Sequence, residues 1–190
     1  VREPNIVFAI HDAHPWGGQD KYTLEIARWI AKKRNVDLHA FFVEGSGDFK
    51  FKKVTPQIKR PVLLKSFVYH VYSWLAFRSS NPQKQIINAM GACSLESDVV
   101  QVLFLHKAWA ERKKNAKPLE GRSAGMLSRL YHSILQKYDL WTERASFLSN
   151  KKYIAISKTV GDEVKTYFPE IKNVSVVYPG FDPNDFVPVN

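Results

Sequence analysis

The sequence predicts an α/β protein built on a doubly wound, mainly parallel sheet. Three observations carry this. Short continuous apolar runs, at residues 6–10, 99–105 and 174–178 among others, have the length of strands buried on both faces. Between them lie longer segments whose apolar residues recur at helical spacing. The two kinds alternate along the chain, as βαβ units require. With 190 residues and 45% hydrophobic content, one such domain with a sizeable core is expected.

The first run leads through His11-Asp12-Ala13-His14-Pro15-Trp16-Gly17-Gly18 into a helix expected over residues 20–34. Leu24, Ala27 and Ala31 share one face of it, and Lys32, Lys33 and Arg34 cluster at its C-terminal end, where cations suit the helix dipole. A second strand is expected over 36–43. The Gly17-Gly18 pair admits two readings: backbone N–H groups approach an anion at the positive helix end, or a tight turn needs positive φ. Residues 44–61 read as a basic loop in which Phe49 and Phe51 interleave with Lys50, Lys52 and Lys53. Val62-Leu63-Leu64 suggests a short strand. Residues 67–77, apolar nearly all round, suggest a buried helix, with a lipid-facing helix as the alternative.

Asn81-Pro82 has the form of a helix start, with Ile86, Ile87 and Met90 as its apolar stripe. The strand at 99–105 ends on His106-Lys107. Ligands of open parallel sheets collect beyond the C-terminal strand ends, so His106 stands where chemistry is expected; an incidental loop histidine is the alternative. Residues 108–125 read as a second basic loop, holding Arg112, Lys113, Lys114, Lys117 and Arg122. Leu127, Tyr131, Ile134, Tyr138, Trp141, Ala145 and Leu148 then mark an amphipathic helix of about six turns, its stripe expected in the core and Glu143 and Arg144 off it. A strand is expected at 153–156, followed by a short helix capped by Ser157 with Asp162 and Glu163 in its first turn. The last strand is expected at 174–178.

Composition narrows the partners. No apolar run approaches the roughly 20 residues of a membrane span, and no signal-peptide pattern is present. The single Cys93 excludes a disulfide within the chain and fits a reducing compartment. Six scattered histidines and one cysteine lack zinc-ligand spacing, so no metal is expected. The net charge of +10 is either a solvated surface or a means of meeting an anionic membrane, phosphorylated small molecules or nucleic acid. The nucleic-acid reading is disfavoured, because no recognition helix, zinc finger or aromatic sheet signature appears.

In three places the residues resemble the N-terminal domain of family 4 glycosyltransferases, retaining enzymes of the GT-B fold. These are the first strand with Pro15-Trp16-Gly17-Gly18, the stretch Trp141-Thr142-Glu143-Arg144-Ala145-Ser146-Phe147 leading to Tyr153-Ile154-Ala155-Ile156-Ser157-Lys158, and Val176-Val177-Tyr178-Pro179-Gly180-Phe181-Asp182 with Phe186 and Pro188. Together they span nearly the whole chain. Within the family, His106-Lys107-Ala108-Trp109 and the Glu143-Arg144 helix look closest to the lipopolysaccharide-core glucosyltransferases. The Tyr-Pro-Gly-Phe-Asp segment departs from the commoner Pro-Asn-Gly-Val-Asp while keeping its Gly and Asp.

The resemblance implies the N-terminal half of a GT-B fold: residues 1–180 as a Rossmann-like acceptor-side domain and 181–190 as the start of a linker to a donor-binding domain. It implies transfer of a hexose from a nucleotide-diphosphate sugar to a lipid-linked or cell-surface glycan, with no cofactor and no metal, and inactivity of this piece alone. His106 is implied as catalytic, and Gly17, Gly18, Gln19, Lys107 and Ser157 as donor- or acceptor-binding. Lys50, Lys52, Lys53, Arg112, Lys113 and Lys114 are implied as a membrane or acceptor surface. The setting implied is cytoplasmic, peripheral on the inner face of the membrane. The competing classes are a non-catalytic nucleotide- or sugar-binding domain and a basic nucleic-acid-binding module.

Overall fold

The computed structural model describes residues 3–44, 50–54, 56–81, 83–115, 125–148 and 150–180. In chain order these form β1 (Asn5–Ala9), β2 (Asp12–Ala13), α1 (Gly18–Ala31), β3 (Val36–Ala40), β4 (Phe42–Val43), β5 (Lys50–Lys53) and α2 (Val62–Phe77). Then come β6 (Gln85–Met90), a 3-10 turn (Gly91–Cys93), β7 (Val99–Val102), α3 (His106–Asn115), α4 (Met126–Ser146), β8 (Lys152–Ala155), α5 (Lys158–Tyr167) and β9 (Val174–Val176). Seven strands pair in parallel in the order β5-β3-β1-β6-β7-β8-β9, while β2 and β4 form a separate small pair. The strand order reverses direction between β1 and β6. That is the switch point at which open sheets hold ligands beyond their C-terminal edge.

The apolar runs become strands because both sheet faces are covered. One core cluster joins Val7, Phe8, Leu38 and Ile87 to Leu24 of α1 and Tyr69 of α2. A second joins Val100, Val102, Tyr153 and Ala155 to Val164 of α5 and to Phe147 and Phe168. Each fully buried Leu, Ile or Phe contributes about 1.5–3 kcal/mol of transfer free energy. The two clusters carry most of the folding drive.

Several expectations are corrected. The second strand breaks after Ala40: Phe41 turns inward and Phe42-Val43 pairs with β2 instead. Part of the first basic loop is a strand, β5, which extends the sheet beside β3. Its three lysines are exposed and only Phe51 tucks in. Charged residues on an edge strand discourage further pairing. Val62-Leu63-Leu64 is the first turn of α2, since nothing separates it from the helix that follows Pro61. That helix is buried on one face only, through Ser66, Tyr69, His70, Ser73 and Phe77, while Phe67, Val71, Trp74 and Leu75 face outward.

Residues 85–90 are a central strand, not a helix. Both neighbours pair with it, and Ile86 and Ile87 are β-branched residues that suit a pleated surface. Asn81 accepts the N–H of Gln83 in a turn rather than capping a helix; Pro82 lies outside the described residues. The start of the second basic stretch is also helical: α3 runs to Asn115, with Ala108 and Ala110 buried, and Lys117 and Arg122 lie outside the described residues.

The stripe of α4 is not core. Leu127 is 79% exposed and Trp141 58%, while the buried residues of this helix are Thr142, Glu143 and Ser146. Periodicity shows that a helix has an apolar face, not that something covers it. In α5, Ser157 caps as expected, accepting the N–H of Val160 at 3.2 Å, but Asp162 and Glu163 lie beyond the first turn. The last strand stops at Val176, and 181–190 lie outside the described residues.

Candidate active site

A cavity of about 300 Å³ opens at the switch point, lined by His11, Gln19, His70, Gly91, His106 and Glu143 among others. Its floor depends on one backbone feature. Gly91, directly after β6, has φ of 59°, the one positive φ among the described residues. A side chain there would be strained, so the chain turns out of β6 through a glycine.

His106 is the first residue of α3, and its position is fixed from α4. The Glu143 carboxylate, 2% exposed, accepts the His106 N–H at 2.6 Å and the Lys107 N–H at 2.9 Å. Those amides are orphan donors of a helix start, and a buried carboxylate at the positive helix end satisfies them with charge-assisted hydrogen bonds. Burial pushes the Glu143 pKa up, and the two N–H groups oppose that shift. The His106 ring packs edge-on against Phe104 at 5.0 Å and stands with Nδ1 3.9 Å from Asp139, too far for a hydrogen bond. Burial lowers the His106 pKa and raises that of Asp139 to about 6. The imidazole is therefore neutral near neutral pH, able to accept a proton or orient a hydroxyl.

Two further histidines line the cavity. His70 Nε2 lies 2.7 Å from the carbonyl of Ala92, which only accepts, so Nε2 carries the proton. Nδ1 is then free to accept from the Tyr138 hydroxyl at 2.8 Å. One neutral imidazole thus ties α2, the 3-10 turn and α4 together. His11, two residues after the end of β1, packs edge-on against Tyr69 at 4.8 Å, and burial, then His70, Lys65 and His106, hold its pKa near 3. Its Nε2 has no hydrogen-bond partner among the described residues. Cys93 is buried, its thiol donates to the Ala9 carbonyl at 2.9 Å, and its pKa is pushed up to about 12, which removes it as a nucleophile.

The Gly17-Gly18 turn is resolved on one point. Neither glycine has positive φ, so the turn does not require glycine for that reason. Gly17 is needed for space: a Cβ there would come within 2.9 Å of Asp20 Oδ2 and 3.2 Å of His14 Cε1, and those two side chains pair at 3.0 Å. Gly18 has nothing within 4 Å of its Cβ position. It opens α1 with no side-chain cap on the helix start. Beside it, Asp12 pairs with Lys65, joining β2 to α2.

Of the site residues expected from sequence, His106 and Gln19 line the cavity, while Gly17 and Gly18, at the start of α1, are not among its lining residues. Lys107 points away, pairing with Glu111 at 3.2 Å. The Ser157 hydroxyl is taken up by capping α5. The cationic residues fall into two groups. Lys50, Lys52 and Lys53 lie on the β5 edge, while Arg112, Lys113 and Lys114 end α3, which follows β7, four strands away. At about 4.8 Å per strand, β5 and β7 are about 19 Å apart across the sheet. Arg112 is paired with Glu163 of α5.

His11, His70, Gly91, Asp139 and Glu143 join the site only through the fold. The rule that pointed to His106 applies equally to His11, which also follows a strand of the sheet. Nothing local marks His70 or Asp139. Among the described residues no group of three His, Cys, Asp or Glu side chains is arranged to hold a metal.

Among solved structures the chain is similar to the crystal structure of WaaG, a glycosyltransferase involved in lipopolysaccharide biosynthesis. The TM-score is 0.68 at 16% identity, covering 94% of this chain and 46% of that one. Such identity shows the fold alone, and it agrees with the Rossmann-like GT-B architecture; the chain spans just under half the length of that structure. No curated protein matches the sequence significantly. The profile of Glycosyltransferase Family 4 matches residues 16–185, most of the sequence. The chain belongs to glycosyltransferase family 4.

Proposed function

We propose that this chain is the acceptor-side domain of a retaining glycosyltransferase, acting on a nucleotide-diphosphate hexose and a lipid-linked or cell-surface glycan such as a lipopolysaccharide. Residues 1–180 form that domain, 181–190 begin the linker, and the donor is held mainly by a second domain that faces the cavity at the switch point. The observation that carries this reading is the neutral His106 imidazole at the cavity, held through its own backbone by Glu143. A group so placed orients the acceptor hydroxyl or contacts the donor sugar without adding charge of its own. The uncapped start of α1 offers N–H groups to the departing diphosphate, whose charge grows in the transition state.

The test uses the full-length protein with a panel of nucleotide-diphosphate hexoses, read as nucleoside diphosphate release in the presence of a glycan acceptor. His106→Ala is expected to lower turnover about 100-fold or more, the range of a lost acid–base or orienting group. Turnover near that of the parent protein would overturn the role of His106.

Membrane contact at the cytoplasmic face belongs to the same reading. It is supported by the outward aromatic and aliphatic side chains of α2, where Arg78 stacks over Trp74 at 4.9 Å. Such a face, with cations at its margin, suits the interface of an anionic bilayer. No described helix is long and apolar enough to cross one. Flotation with anionic vesicles is expected to recover more protein than flotation with neutral ones.

A further inference from the structure

A second concavity, about 820 Å³, lies between α3 and α4 and shares Phe104, His106 and Asp139 with the first. Its walls differ in kind from the cavity at the switch point. Trp109 and Phe104, each about half exposed, present aromatic surface. Lys113, Arg129 and His132 bring basic groups from both helices. The Lys113 ammonium sits 5.0 Å from the centre of the Trp109 ring, so cation and aromatic surface are side by side. Asp139 is the one acidic residue in the lining, and it lies at the end shared with His106.

We infer that the α3–α4 groove binds an anionic saccharide, with its charged group between Lys113 and Arg129 and a sugar ring against Trp109. This inference rests on the transferase reading for its orientation. A saccharide lying in the groove reaches His106 with its far end, so the groove selects which acceptor hydroxyl meets the cavity. Three features of the groove fit this ligand class better than the alternatives. A purely apolar ligand leaves two cations without counter-charge, and a bare anion leaves the aromatic wall unused. A pocket with an aromatic floor and a few convergent polar groups is the usual form of a small-molecule site. Arginine and lysine are the usual partners of phosphate and carboxylate. Arg129 has no acidic partner among the described residues, whereas Arg112, two residues from Lys114, is already paired with Glu163 and stands outside the groove.

The experiment is a binding titration of the chain with glucose 6-phosphate, glucose and inorganic phosphate, read by calorimetry and by the indole N–H resonance of Trp109. Glucose 6-phosphate is expected to bind tightest and to shift that resonance. Arg129→Gln with Lys113→Gln is expected to weaken it about tenfold, as loss of charge-assisted bonds does. Arg129→Lys retains part of the affinity, and Lys172→Gln, exposed between α5 and β9 and outside the groove, leaves it unchanged. Both altered groove residues lie on helix surfaces, and unchanged melting of the variants separates lost binding from lost folding. Equal affinity for glucose, equal affinity for inorganic phosphate, or an unaffected double variant overturns the inference. So does binding to phosphatidylglycerol vesicles with none to glucose 6-phosphate, since that marks a lipid surface and not a saccharide site. The transferase reading is tested apart, by acceptor-dependent nucleoside diphosphate release from the full-length protein. Sugar-phosphate binding without any transfer sinks that reading and leaves the groove standing.

Discussion

Two helices begin at the cleft, and they begin differently. At α3 the first amides are filled by a carboxylate brought from α4, whose burial leaves it no other task. At α1 the start is a glycine pair with no side-chain cap, and Gly18 faces open space. The same orphan donors are thus consumed at one end and left available at the other. The difference assigns roles. The α3 end is closed to external anions and serves to fix His106; the α1 end is the one that can receive them.

Substitutions at Glu143 break the comparison most severely. Glu143→Gln places an amide where two N–H donors converge, leaving one of them unmet at about 1–3 kcal/mol. Melting is expected to fall by several degrees, about 2–4 °C per kcal/mol for a chain of this size. In the full-length enzyme kcat is expected to fall about tenfold or more with little change in donor KM, because the ring of His106 shifts while the donor site does not. A rise in KM with kcat intact would mean that Glu143 supports binding and does not position His106.

The glycine pair sharpens the comparison at the other helix. Gly18→Ala fits the fold, since φ is not positive and no atom lies within 4 Å, and is expected to stabilise by up to about 1 kcal/mol. If α1 receives an anion, the new methyl group blocks close approach, and transfer falls even as melting rises. Rising melting with unchanged transfer would remove the α1 end from the site. Gly17→Ala is expected to act oppositely on stability, costing about 1 kcal/mol by displacing the His14–Asp20 pair.

A further expected effect is in pH dependence, where buried groups of the fold act with opposite signs. Burial lowers the pKa of His39 to about 4 and that of His11 to about 3, against 6.5 for a free imidazole. Between those values the unfolded chain binds more protons, so stability is lost as pH falls from about 6.5 toward 4. Asp139 works the other way. Its pKa is raised from 3.8 to about 6, so the folded chain binds its proton first and gains stability over that interval on acidification. His39→Gln should flatten the acid loss and Asp139→Asn should steepen it, both read as melting midpoint against pH. Parallel curves for Asp139→Asn and the parent would remove Asp139 as a titrating member of the cleft.

The chain itself determines its class. Strand-length apolar runs, the Gly17-Gly18 turn and the Ser157 cap are local features, set by side-chain volume, backbone freedom and short-range hydrogen bonds. The same is true of His106, because the C-terminal end of a parallel strand is a place that sequence order alone defines. What only the tertiary structure decided is which side chains meet there. Residues 85–90 carry a spacing that serves helix or strand alike, and pairing with β1 and β7 settled it. The stripe of α4 has the spacing of core, yet the residues that α4 buries are Thr142, Glu143 and Ser146; of these polar groups Thr142 donates to the Asp139 carbonyl, while the Ser146 hydroxyl has no partner among the described residues. Glu143 finds its partners 36 and 37 residues away, in the amides of α3. No periodicity records a contact of that range, because it depends on two helices being packed against one sheet and not on either helix alone.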